Sequence, residues 1–443
     1  MLLVMLKYYE ENKETITSLL CMFIIELIIL VGFNLANQHV IYRVLGFLIM
    51  CALLPLVFKR YNKKVYSLLA ISISALILFI VPSILSPLTS KVGILEQIGI
   101  LLGIIPFFIF GVFFALTNVK KKMITYLLLA IYGSLSVFAL VSLIITIIDF
   151  SSPFYYLIYS KNDQLVEIIN YADALIGFST HKVRIESLSN IGLVCATSLS
   201  LAVICDKKKD KKVFYISTLC GLVGVITVVF LATPLNMYAL CAFFIVLIGF
   251  KNWKKPNFNK RAYFITILIS LLAIISLRIT YHLVPSFKVF LDKTYVLKEI
   301  IVPRIGLTER LNAIKYSFEN ISLLGQTNYQ PTGIMILDVL QLDGVFAFIG
   351  LTVFFIVAIY GICRFIKKSD SSLKFGIASL SVSLLFIFLL NDYRILTVFS
   401  TRPIITKYYY PTSLDILFVL FLPLVGYYLF YQQDEKFTMV ESK

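Results

Sequence analysis

Apolar positions along the chain follow neither the two-residue alternation of a half-buried strand nor the spaced stripe of a surface helix. They gather into long unbroken runs separated by short charged clusters. About 20 apolar residues in a helix cross the hydrocarbon of a bilayer. Within lipid the backbone must satisfy its own hydrogen bonds, so each run is expected to be helical. Twelve runs qualify: 16–35, 41–58, 65–86, 97–117, 123–148, 187–205, 213–232, 237–250, 263–282, 344–363, 375–393 and 413–431. The expected fold is therefore all-α, a polytopic membrane protein of about 12 transmembrane helices forming one transmembrane domain over 1–443. Three segments between spans exceed a turn: 149–186, 283–343 and 394–412. The second is a large external loop belonging to the same domain.

Composition removes the soluble alternative. The chain is 59% apolar and 14% charged, against about 45–50% and about 25% in soluble domains. The opening MLLVMLKYYEENKETI lacks the basic start, short apolar core and small-residue site of a cleaved signal. The first span is thus expected to stay in the membrane. Cys21, Cys51, Cys195, Cys205, Cys220, Cys241 and Cys363 lie in the expected spans or at their inner ends, with no CxxC pair. They read as small apolar residues, not as disulfide or zinc ligands.

Charge sets the orientation. With the N-terminus inside, the inner loops include KRYNKK (59–64), KKK (120–122), DKKKDKK (206–212), KNWKKPNFNKR (251–261) and RFIKKSDSSLK (364–374). Lysine-dense short loops belong on the cytoplasmic side, which puts both termini there. The net charge of +16 then faces anionic lipid headgroups and calls for no nucleic-acid partner.

Arginine runs the other way. Of 30 lysines, 22 are inside, yet seven of ten arginines are at or beyond the outer ends of spans: Arg43, Arg184, Arg278, Arg304, Arg310, Arg394 and Arg402. A guanidinium binds phosphate with two prongs and keeps its charge near lipid. The expected ligand is an external pyrophosphate. Pairing with outer acids such as Glu186, Glu309 and Asp392 is the alternative. Glu26, deep in the first span, is either functional or paired within the bundle, with Arg43 for instance. His181 and His282 lie at the outer face and are candidate bases. In TERLNAIKYSFENISLLG (308–325) a helix along the membrane surface is expected. Thr308 would cap it, Leu311, Ile314, Phe318 and Ile321 would form one stripe, and Gly325 would stop it. The sequence contains no GxxxxGK, HExxH, GxSxG or DxD motif.

Two stretches resemble the O-antigen ligase and polymerase family. In RLNAIKYSFENISLLGQTNYQPTGIMILDVLQLDGVFAFIGL (310–351), Arg310, Leu323-Leu324-Gly325, Leu337-Asp338-Val339-Leu340 and Gly344 follow the family pattern in order. In HKVRIESLSNIGLVCATSLSLAV (181–203), Arg184 and Asn190 resemble its arginine and asparagine at the start of a span. Two positions depart from it. Gly333 stands where family ligases carry histidine, and the outer turn TPLNM (233–237) lacks an arginine.

The resemblance implies a metal-independent glycosyltransferase without a cofactor, polymerising undecaprenyl-pyrophosphate-linked oligosaccharide units for O-antigen, capsule or exopolysaccharide. It would work at the outer face of a bacterial cytoplasmic membrane. Arg184 and Arg310, followed by Arg278 and Arg304, would bind the pyrophosphate; Asp338 and His282 are candidate catalytic bases. The implied partners are the lipid-linked oligosaccharide, membrane lipid, and the flippase and chain-length regulator of the same pathway. A flippase or exporter of lipid-linked glycan, or a ligase, are the alternatives. The tyrosines of the outer segments, Tyr281 and Tyr329 among them, stand either as sugar platforms or as an interfacial belt.

Overall fold

The computed structural model of the protein describes residues 63–85, 105, 108, 109, 111, 112, 115, 121–149, 173–175, 182–204, 210–231, 234–252, 256–292, 301, 307–326, 330, 332, 334–368, 374–390 and 413–430. In chain order the elements are α1 (Lys63–Leu85), α2 (Lys121–Asp149), β1 (Asp173–Leu175), β2 (Lys182–Arg184), α3 (Ile185–Ala196) and α4 (Leu199–Ile204). They continue with α5 (Lys211–Leu231), α6 (Pro234–Asn252), α7 (Lys260–Leu283), α8 (Pro285–Asp292), α9 (Leu307–Glu319), α10 (Met335–Lys368), α11 (Lys374–Leu390) and α12 (Ser413–Phe430). The described residues are predominantly helical, in line with the all-α expectation, with one short strand pair besides.

Among the described residues three helices are long and apolar enough to cross a membrane, over Lys211–Leu231, Lys260–Leu283 and Met335–Lys367, and six shorter apolar helices accompany them. Expected spans 65–86, 123–148, 213–232, 237–250, 263–282, 375–393 and 413–431 each coincide with one helix. Spans 16–35 and 41–58 lie outside the described residues, and 97–117 is described at six helical positions. Two spans differ in form. The 187–205 run is broken into α3 and α4 at Thr197–Ser198, and the 344–363 run is the part of α10 after the non-helical Gly344, preceded by a further helical stretch from Met335.

The chain divides into two compact units, one of Met1–Ile131 with Arg310–Lys443 and one of Tyr132–Glu309. In the first, α10 packs on α1, α11 and α12. Phe354, Phe355, Phe388 and Phe421 fill its centre at ring separations of 5.4–6.5 Å. Glycine lets the helices approach: a Cβ at Gly350 would enter the α1 backbone at Ala75 and Phe79, and one at Gly111 would meet the Pro423 carbonyl. Small residues are the usual means of close helix contact where apolar burial gives no net drive.

In the second unit α3 packs on α5 by the same device. Gly192 and Gly224 meet at the helix crossing, and a Cβ on Gly224 would strike Ala196 N and Gly192 O. The α3–α4 break is held by hydroxyls. Thr197 Oγ1 donates to Val194 O at 2.6 Å, Ser200 Oγ to Thr197 O at 2.6 Å and Ser198 Oγ to Ser217 O at 2.8 Å. Tyr132 and Thr197 share a 2.9 Å hydroxyl contact beside it.

Helix α7 differs from the rest. It is apolar on all sides, and none of its 18-residue apolar window is buried. A helix of that kind is not stable against water. Its hydroxyls turn back onto their own helix, for example Thr266 to Ala262 O at 2.9 Å and Ser270 to Thr266 O at 2.9 Å. The start is capped by Asn259 Oδ1, which accepts from Ala262 N at 3.0 Å. Tyr263 fastens the same end to α6 through the Ile245 carbonyl.

Candidate functional site

Each unit carries a polar cluster. In the first unit it is built where α10 kinks. Gly344 has φ 87° and ψ −176°, outside the helical region, and the chain continues as helix on both sides. Gly325, in the turn after α9, has φ 89°. The two glycines face each other through backbone: a Cβ on Gly325 would collide with Leu342 O, and one on Gly344 with Leu323 O. The ladder bonds lost at the kink are replaced across this contact, Val345 N donating to Ser322 O at 3.0 Å and Gln326 N to Gln341 O at 2.8 Å.

Gln341 joins the surrounding segments. Its Nε2 donates to Ser317 Oγ of α9 at 2.7 Å and to Gln330 O at 2.8 Å, while its Oε1 accepts from Gln330 N at 3.0 Å. Asp338, fully buried, accepts from Thr332 N at 2.8 Å and Thr332 Oγ1 at 2.7 Å. Asp343, also fully buried, accepts from Ser83 Oγ of α1 at 3.1 Å. Asp338 thereby holds the turn that leads into α10, and Asp343 ties the kink to α1. Sequence reading singled out neither Gln341 nor Asp343; their signal is two polar residues at the head of a long apolar run.

Arg310 lies in the second half-turn of α9, the helix that Ser317 and Gln341 pin to α10. That helix begins at Leu307, which places Thr308 inside its first turn, and ends at Glu319, before Gly325. The expected stop, Gly325, thus belongs to the glycine contact above and not to the helix end itself. Ala313 and Ser317 form the buried face, whereas Leu311, Phe318 and Ile321 are more than half exposed. The small Ala313 and Ser317 thus lie on the face that meets Gln341, and Leu311, Phe318 and Ile321 lie away from it.

The second unit holds the other candidates. Arg184 ends β2 and immediately precedes α3, and the strand register sets it opposite Asp173. Asn190, 1% exposed, accepts from Asn236 Nδ2 at 2.8 Å, and the same nitrogen donates to Ser189 Oγ at 3.0 Å. The asparagine near the start of α3 thus meets Asn236 in the first turn of α6, a pairing that sequence separation concealed. Arg278 is exposed near the end of α7, within electrostatic reach of the Tyr238 hydroxyl. His282, exposed one turn later, sets its ring edge-on to Tyr281 at 5.3 Å. Tyr281 in turn donates to Asp292 Oδ1 at 3.0 Å and packs with Leu291 and Ile301, fixing the α7–α8 corner.

Arg304, Arg43, Arg394, Arg402, Glu26 and His181 lie outside the described residues. Arg364 donates to the Leu429 carbonyl at the end of α12 at 2.7 Å, a structural use at a helix C-terminus. Cys195 and Cys220 are buried as expected, whereas Cys241 and Cys363 are exposed. No family model, curated protein or solved structure matches this chain.

Proposed function

We propose that the chain is a polymerase of undecaprenyl-pyrophosphate-linked oligosaccharide units, embedded by about a dozen helices in a bacterial cytoplasmic membrane with both termini inside. The observation that carries the reading is the opposed distribution of the two basic residue types, lysine in the inner loops and arginine at the outer ends of spans. Membrane topology accounts for the lysines and leaves the arginines to be explained by an anionic ligand.

In the proposed reaction the bond between the sugar anomeric carbon and the carrier pyrophosphate breaks. A hydroxyl oxygen of a second lipid-linked unit forms the new glycosidic bond and its proton passes to a base. The departing pyrophosphate gathers negative charge, which fixed guanidinium groups in a poorly hydrated place stabilise. Arg184 and Arg310 are the principal residues assigned to that task, and Arg278 and Arg304 rank after them. Arg184 has the further advantage of preceding a helix N-terminus, where the backbone itself favours an anion. His282, being exposed, suits proton transfer better than Asp338, whose carboxylate is occupied by Thr332; Asp338 is assigned a positioning role.

A second reading, a flippase or exporter of lipid-linked glycan, draws on the α3–α4 break. Broken helices near mid-membrane are a mark of transporters. The two readings separate in cells. Arg184→Ala and Arg310→Ala should insert normally while single lipid-linked units accumulate on the outer leaflet. Accumulation on the inner leaflet would instead indicate the flippase, and unchanged polymer would remove the arginines from the mechanism.

A further inference from the structure

Asn236 stands in the first turn of α6 and is 3% exposed. Both hydrogens of its carboxamide are used, on Ser189 and Asn190 of α3. Its Oδ1 is buried and has no hydrogen-bond partner among the described residues. Native proteins seldom retain such an acceptor without a use for it. All three residues lie within the first two turns of their helices, and α3 packs on α6. Two helix N-termini, whose backbone polarity is positive, therefore lie near the same place.

We propose that Asn236, with Ser189 and Asn190, forms a subsite for a hydroxyl of the glycan that accepts the transferred chain; this rests on the polymerase reading. The chemistry selects the ligand. Asn236 Oδ1 requires a donor, which excludes phosphate oxygens and carbonyls. The neighbouring helix termini disfavour an ammonium group. A hydroxyl meets both conditions, giving its hydrogen to Oδ1 while its lone pairs face the helix ends. Arg184, immediately before α3, would hold the anionic end of a bound lipid-linked unit close to the same helix start.

The test uses the full-length protein in its producing cells and, purified, with the lipid-linked repeat unit extracted from those cells. Asn236→Leu removes the acceptor at nearly constant volume, and Asn236→Gln displaces it by one methylene. Both are expected to accumulate in the membrane, to shorten the polymer ladder, and to raise the half-saturating acceptor concentration about tenfold, the value of one hydrogen bond, with the maximal rate little changed. Wild-type ladders and saturation in both variants, with polymer lost in Arg184→Ala and Arg310→Ala, would overturn the subsite and leave the polymerase reading standing. Unchanged polymer in all four would remove both. Failure of both Asn236 variants to accumulate would mark a structural amide holding a buried water, and overturns the subsite as well.

Discussion

At the residue scale, the first unit depends on Gly325 and Gly344. Both occupy positive φ, which costs an L residue about 1–2 kcal/mol, and in both the site of a Cβ is already filled by backbone. Gly325→Ala and Gly344→Ala are each expected to lose at least about 3 kcal/mol, read as a fall in melting temperature in detergent. Gly133→Ala is the control. Nothing lies within 4 Å of its Cβ position, so it should be neutral or up to about 1 kcal/mol stabilising. Gln341→Leu leaves Ser317 and both backbone groups of Gln330 without their partner. A cost of roughly 2–3 kcal/mol and new protease cleavage within 307–334 are expected. Gly325 and Gly344 were visible in the sequence as parts of one motif. Their mutual contact was not, because glycine carries no side chain through which a sequence could advertise a partner.

At the element scale, apolar run length predicted most described helices, because in a bilayer length and hydropathy are what a spanning helix must satisfy. Run length says nothing about interruptions. The Thr197–Ser198 break is invisible to hydropathy because its hydroxyls bond to nearby carbonyls and the flanking residues remain apolar. The strand pair beside Arg184 is three residues long on each side, too short to leave an alternating pattern. For α9 the apolar stripe was legible, but the small buried face of Ala313 and Ser317 that meets Gln341 was not, because its partner lies 24 residues away. Helix α7 gives the sharpest prediction at this scale. Ile269, 60% exposed near its centre, faces lipid in this account. Ile269→Asp should cost insertion roughly 2.5–3.5 kcal/mol and lower the glycosylation-tag readout of membrane insertion, whereas Ile269→Val should leave it unchanged.

At the scale of the whole molecule, the candidate residues divide between the units: Arg310, Asp338, Gln341 and Asp343 in one, Arg184, Asn190, Asn236, Arg278 and His282 in the other. Charge distribution suggested the arginines and the family likeness added Asp338 and Asn190. Neither could indicate that Asp338 is enclosed by Thr332, because burial depends on a turn that forms only when the loop folds onto α10. The central claim is two-sidedness, with α9 and its arginine outside and the lysine loops inside. The direct measurement is labelling by a membrane-impermeant maleimide in intact cells, in a cysteine-free background, at Lys315→Cys of exposed α9 and Lys251→Cys at the end of α6. The account predicts that Lys315→Cys reacts at once and Lys251→Cys only after permeabilisation. Protection of Lys315→Cys, or reaction of Lys251→Cys from outside, would contradict it.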